Sequence, residues 1–162
     1  MPDDSIHVRI AEMKVLRGSG TLVILGLGSC VGLFLWDPVS KVGGCAHVIL
    51  PDSQAFTYKP SPAKFADTAV SAMVDVMVKA GADPGRIESK LTGGATMFAS
   101  ASNPNLLPLG LRNVIAVREA LRLAGVPLKA EDIGGTQGRS VYFQVLDGKL
   151  LVKRVHQLDA WI

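Results

Sequence analysis

Apolar residues in this chain fall mostly in short runs separated by glycine, proline or charged positions, the pattern of a sheet-rich protein. Residues 5–16 alternate apolar and polar positions and predict a first strand, closed by the turn Arg17-Gly18-Ser19-Gly20. Residues 21–25 and 31–36 are apolar almost throughout and predict two buried strands, with a glycine turn between them and Asp37-Pro38-Val39-Ser40 after them. A third apolar segment, 42–50, contains Gly43-Gly44, which predicts a bulge or the close approach of another backbone. Side chains alternate along a strand, so Cys45 and His47 share one face.

The period then lengthens. Ser61 and Pro62 read as an N-cap and a first helical residue. Phe65, Ala69, Met73, Val76, Met77 and Ala80 recur at the spacing of one helix face, and Gly81 ends it. Residues 87–92 alternate as a strand and run into Thr92-Gly93-Gly94-Ala95. Residues 99–108, with Pro104 and Pro108, are expected as a loop. A second helix, 111–124, is expected to bury Leu111, Val114, Ile115, Leu121 and Ala124 before Gly125 stops it. Residues 128–133 read as a strand and 134–138 as a glycine turn. A hairpin of 141–146 and 150–155 follows across Asp147-Gly148, a type I′ signal. Strands outnumber helices and some are hairpin-linked, which argues against a doubly wound parallel sheet and for one mixed α+β sandwich domain over residues 1–162.

With 162 residues, 48% of them hydrophobic, the chain can bury one substantial core. The net charge of +3 comes from scattered Lys and Arg, which form no basic block for nucleic acid. The apolar stretch 21–36 carries three glycines and is shorter than the roughly 20 residues of a membrane helix. Leu27-Gly28-Ser29-Cys30 loosely resembles a bacterial lipoprotein cleavage site, but Asp3, Asp4 and Glu12 precede it where a basic segment belongs. A cytoplasmic protein without membrane insertion is expected, with Cys30 and Cys45 as free thiols.

Candidate chemistry centres on Gly26-Leu27-Gly28-Ser29-Cys30. A dinucleotide loop would need a third glycine where Val31 stands and a helix where 31–36 reads as a strand, so phosphate binding is rejected. Cys30, Cys45 and His47, with His7, Asp52 or His156, could supply zinc ligands, but the paired spacings of structural zinc sites are absent. A cysteine nucleophile is the third reading. A glycine turn exposes Cys30, the N–H groups around Gly28 and Ser29 can hold an oxyanion, and His47 can carry the proton. A free cysteine also packs well as a small hydrophobe, so the residue types alone leave both roles open.

The segments Leu25-Gly-Leu-Gly-Ser-Cys-Val31, Asp37-Pro38, Gly44-Cys-Ala-His-Val-Ile-Leu-Pro51 and Lys64-Phe-Ala-Asp67 closely resemble the chemoreceptor glutamine deamidases of bacterial chemotaxis, the CheD family. The resemblance continues through Lys90-Leu-Thr-Gly-Gly-Ala-Thr-Met-Phe98, Gly110-Leu-Arg-Asn-Val114 and Asp132-Ile-Gly-Gly-Thr-Gln-Gly-Arg-Ser-Val141. It implies a protein-glutamine glutaminase that converts glutamines of methyl-accepting chemotaxis receptors to glutamate, without a cofactor, and that binds a CheC-type phosphatase. It implies a layered α/β/β/α sandwich with mixed sheets, similar to the deamidase core of the cytotoxic necrotizing factors. Cys30 matches the family nucleophile and His47 its base, with His47 and the turn dipoles expected to depress the thiol pKa. Ile24 stands where the family has a threonine that orients the histidine, so a backbone carbonyl near Ile24, or Thr21, is expected to take that task. Gly93, Gly94, Asn113, Gly134 and Gly135 are expected along the substrate groove. The competing readings are a non-catalytic adaptor for the phosphatase or the receptors, and a related cysteine hydrolase with another substrate.

Overall fold

The computed structural model describes residues 4–98 and 105–162. Ten strands form two mixed five-stranded sheets among these residues. One sheet has the order β1 (Ser5–His7), β3 (Thr21–Leu27), β8 (Arg139–Gln144), β9 (Lys149–Lys153), β10 (Ala160–Trp161). The other has β2 (Met13–Arg17), β5 (Val42–Val48), β4 (Val31–Asp37), β6 (Glu88–Gly93), β7 (Leu128–Ile133). The pairs β1–β3 and β6–β7 are parallel and the rest antiparallel.

The two helices, α1 (Ala66–Lys79) and α2 (Leu109–Ala124), pack against each other and on the second sheet only. The α+β sandwich with two mixed sheets is as expected, but the layers run α/β/β, because both helices share one outer face. The sheet holding β4 is therefore buried on both sides. Val31, Leu33 and Leu35 face the helices, whereas Phe34 and Cys45 face the other sheet with Leu22, Ile24, Val141 and Phe143. Burial on both faces is why these strands read as unbroken apolar runs.

Several elements differ from expectation. The alternating stretch 5–16 splits into β1 and β2 of different sheets, joined by a turn in which Glu12 Oε2 accepts the Arg9 N–H at 2.9 Å and Ala11 is left-handed. Gly43-Gly44 interrupts no register and meets no other backbone. It makes room for Phe143 on one face and Met73 and Met77 on the other.

Ser61 caps a 3-10 turn, Pro62–Lys64, and α1 starts only at Ala66. The reason is that Phe65 stays extended, bridging Leu50 while the Ala66 N–H donates to the Leu50 carbonyl. Val76 faces outward, as do Leu111, Ile115 and Ala124 of α2, whose buried line is Gly110, Asn113, Val114, Val117 and Leu121. The last hairpin closes through a four-residue loop, 145–148, between Gln144 and Lys149, not through a two-residue type I′ turn. Of the expected loop 99–108, residues 99–104, Pro104 among them, lie outside the described residues.

Candidate active site

Strand β3 bulges between Ile24 and Leu27, and Gly28-Ser29-Cys30 then turns the chain from one sheet into the other. Every carbonyl of that turn is tied back. Gly28 accepts from Ala95 N at 2.8 Å, Ser29 from Asn113 Nδ2 at 3.0 Å, and Cys30 from Gly94 N at 2.8 Å. Asn113 also donates to the Ile49 carbonyl at 3.1 Å, so one fully buried amide joins the turn to the end of β5. Gly93 must be glycine: its φ is 99°, and a Cβ there would lie 2.3 Å from the Cys30 carbonyl oxygen. No acceptor is found among the described residues for the Gly28 or Ser29 N–H, and the Cys30 N–H acts on its own sulfur.

Register brings His47 to this turn. Gly32 lies opposite His47, and Cys30, two residues back, also faces the inter-sheet space. Cys30, one residue before β4 begins, therefore lies diagonally from His47 on the face toward the other sheet. Gly32 keeps the row low: a Cβ there would meet Phe34, Thr92 Oγ1 and Leu27 within 3.1 Å. Strand β5 is held at His47 by the 8–12 turn, since His47 N donates to the Glu12 carbonyl and accepts, through its own carbonyl, the Ala11 N–H, both at 3.0 Å.

The pair stands between two openings. Beside Ser29 is a cavity of about 290 Å³ lined by Met97, Phe98, Leu106 and Leu107, with Arg112 at its edge. Beside His47 is a wider recess lined by His7, Val8, Arg9, Ile10 and Leu25. Burial pushes the Cys30 thiol up, partly opposed by its own N–H, and burial pushes His47 down, partly opposed by the Val8 main chain. The expected depressed thiol pKa is not what this environment produces. Both shifts favour the uncharged forms of thiol and imidazole. Although Val8 lies against the ring, His47 Nδ1 has no partner of good hydrogen-bond geometry.

The family described as CheD chemotactic sensory transduction matches residues 49–154. The chain belongs to the CheD family. It is 44% identical over 155 residues, 96% of each chain, to the probable chemoreceptor glutamine deamidase CheD of Caldanaerobacter subterraneus subsp. tengcongensis. It is 47% identical over 148 residues, 91% of this chain and 90% of the relative, to the chemoreceptor glutamine deamidase CheD of Thermotoga maritima. Among solved structures, the Bacillus licheniformis hypothetical protein YfiH matches with a TM-score of 0.44 and 17% identity, over 70% of this chain and 47% of that one. The CheD family match begins two residues after His47, whereas the similarity to the curated CheD relatives extends over nearly the whole chain.

Within this CheD chain the residues picked out from sequence separate into three groups. Cys30, His47, Gly28 and Ser29 come together at the turn. Gly93, Gly94, Gly134, Gly135 and Asn113 do not form an open groove. The first two brace Cys30, Gly134 N donates to the Gly93 carbonyl, Gly135 accepts from Thr96, and Asn113 is buried. Ile24 is buried between the sheets opposite Val141, in the hydrogen-bonded alternation set by Val145 N to Gly20 O, which engages its carbonyl with β8. Thr21 pairs with Ser5 and Gln144, three residues along the strand from Ile24.

No zinc set assembles among the described residues, and Cys45 is fully buried beside Phe34 and Phe143. Two participants went unseen in the sequence. One is Val8, whose neighbour Arg9 begins an Arg-x-x-Glu spacing that signals a reach-back from Glu12. The other is Met97, half-exposed, whose sulfur packs over Gly28.

Proposed function

We propose that this protein is a chemoreceptor glutamine deamidase acting through a Cys30 thioester. The observation that carries the reading is the register that sets Cys30 and His47 as same-face neighbours at a turn with unclaimed N–H groups. The printed names of its curated relatives supply the substrate class, glutamine side chains of chemoreceptors. His47 takes the Cys30 proton as sulfur adds to the carboxamide carbon, and the Gly28 and Ser29 N–H groups receive the oxyanion. The imidazolium then protonates the departing nitrogen, releasing ammonia and leaving the thioester. Water gives a proton to His47 and adds to the thioester carbon. Collapse expels the thiolate, which recovers the proton, and the product is glutamate. Glutamine and water have become glutamate and ammonia.

With both shifts favouring the uncharged forms, proton transfer is coupled to attack, and the thiolate does not stand preformed. That favours His47 as a true general base near neutral pH. The test incubates the protein with a purified receptor cytoplasmic fragment and measures its mass, which should rise by about one dalton per converted glutamine. Loss of that gain in Cys30→Ala and its retention in Cys45→Ala support the reading; the reverse pattern rejects it. Ile24, in place of the family threonine, favours a second reading in which the protein engages receptors or a CheC-type phosphatase without chemistry. Binding with no change of mass would establish it.

A further inference from the structure

The chain leaves β1 for β2 by passing over His47, and that crossing is more ordered than its composition suggests. Val8 is anchored twice: its side chain is buried between the sheets, and its N–H donates to the Val23 carbonyl at 2.8 Å. Val8 and His47 line the same recess. Immediately afterwards the Arg9 N–H donates to Glu12 Oε2 at 2.9 Å, and the Glu12 N–H donates to the Arg9 carbonyl at 3.0 Å. The Glu12 carbonyl in turn accepts the His47 N–H at 3.0 Å. Ala11 adopts a φ of 62° to let this happen, a left-handed conformation that is disfavoured for a residue other than glycine. A strained residue, a reciprocal pair of bonds and a buried anchor thus converge on the strand at His47.

We infer that Glu12 is a positioning residue for His47: by holding the Arg9 N–H, its carboxylate closes the turn whose main chain bonds both the N–H and the carbonyl of His47. This rests on the reading of His47 as the proton carrier. It also accounts for the departure at Ile24, because the ring is steadied from the crossing turn and not from β3. Glu12 touches neither sulfur nor substrate. The other ionisable groups around the ring are His7 and Arg9 in the recess, Cys30 at the turn and Cys45 on its own strand.

The experiment compares Glu12→Ala and Glu12→Gln in the full chain, by receptor-fragment deamidation kinetics and by NMR titration of the His47 imidazole. Glu12 is a half-buried side chain at the surface, so neither change removes core packing. Glu12→Ala should lower kcat about 10- to 100-fold with KM within about twofold, the signature of a misplaced catalytic group. Its His47 titration should depart from that of wild type, because the strand that carries the ring is no longer held at the crossing. Glu12→Gln keeps an acceptor for the Arg9 N–H and should recover kcat to within about threefold of wild type. The inference is overturned if Glu12→Ala matches wild type in both readouts, if it raises KM at constant kcat, or if Glu12→Gln is as impaired as Glu12→Ala. Full activity in His47→Ala would reject the site reading instead, while the NMR titration still reports separately on the link from Glu12 to the ring.

Discussion

Strand β4 ends in polar groups on both sides, and the two ends are treated in opposite ways. At its C-terminal end Asp37, fully buried, accepts bonds from the N–H groups of Val39 at 2.9 Å, Ser40 at 3.3 Å and Asp83 at 2.9 Å. The Arg86 guanidinium adds a bidentate pair at 3.0 and 2.9 Å. Among the described residues, His47 Nδ1 and Thr92 Oγ1 at its N-terminal end are buried without partners and the Cys30 thiol meets its own N–H, whereas beside Asp37 one hydroxyl, Ser40 Oγ, is left so. Buried polar groups left unpaired cost about 1–3 kcal/mol each, so a fold keeps them where something other than stability requires it. The Asp37 end holds the sandwich together; the Cys30 end is where the proposed chemistry is placed.

The sharpest break of this contrast is Cys30→Ala, which should abolish deamidation by at least about 10⁴-fold, as removal of a covalent nucleophile does. Its melting temperature should stay within about 4 °C of wild type, since it deletes one half-buried sulfur. Cys45→Ala should do the reverse, keeping turnover and losing stability, because that sulfur lies in the core beside Phe34 and Phe143. Equal losses of activity in both variants would mean that the assignment of the two cysteines is wrong.

Next in size is Gly93→Ala, which joins the two properties that the comparison separates. The left-handed φ alone costs about 1–3 kcal/mol in an L residue, and the new methyl also collides with the Cys30 carbonyl. Measured well below the melting temperature, kcat should still fall, because relieving the collision moves the nucleophile's turn. A variant that is destabilised but catalytically normal would show that Gly93 supports the fold only.

Asp37→Asn tests the other end. Burial alone would raise this carboxyl; Arg86 and the N–H groups of Asp83 and Val39 outweigh it and hold the pKa well below the usual carboxylate range. A folded-state pKa below the unfolded value of about 3.9 gives stabilisation that is present above that pH and lost as pH falls through the folded value. Asp37→Asn should cost about 1.5–3 kcal/mol near neutral pH, in line with hydrogen bonds to a charged group. The difference from wild type should shrink below about pH 4, and kcat should be unchanged. A fall in kcat would couple the two ends of β4 and end the distinction.

The sequence reveals the Asp37 end and the strands more readily than the site's support. Strands β3, β4 and β5 are legible because both faces are buried and the apolar runs are continuous. The break at 8–12 is hidden because it uses no glycine or proline: Glu12 reaches back to Arg9, and Ala11 tolerates a left-handed backbone. The outward turn of Val76 and Ile115 is hidden because periodicity marks an apolar stripe without saying which part of it the sheet covers. Cys30 and His47 are visible by residue type, since few side chains can do thiolate chemistry. The brace of Asn113 between Ser29 and Ile49, and the contact of Val8 with His47, are tertiary and carry no local mark.

The smallest effect is the most direct reading of the Cys30 environment. Burial raises the thiol above its ordinary value of 9.0, and burial lowers His47 below its ordinary 6.5, so both shifts favour the uncharged forms at neutral pH. Alkylation by iodoacetamide requires the thiolate and proceeds without the coupled proton transfer of catalysis. Its rate should climb about tenfold per pH unit from pH 6 through 9, with no plateau near neutrality. His47→Ala should leave that curve nearly in place while abolishing turnover, because in the resting state the imidazole carries no charge to stabilise sulfur. Turnover by the wild type should instead level off at a pH below 6.5, where the imidazole loses its proton and becomes able to act as the base. A plateau in alkylation between about pH 6 and 8, lost in His47→Ala, would reveal a preformed thiolate–imidazolium pair. The N-terminal end of β4 would then be internally paired, as Asp37 is, and the contrast between its two ends would reduce to a difference in exposure.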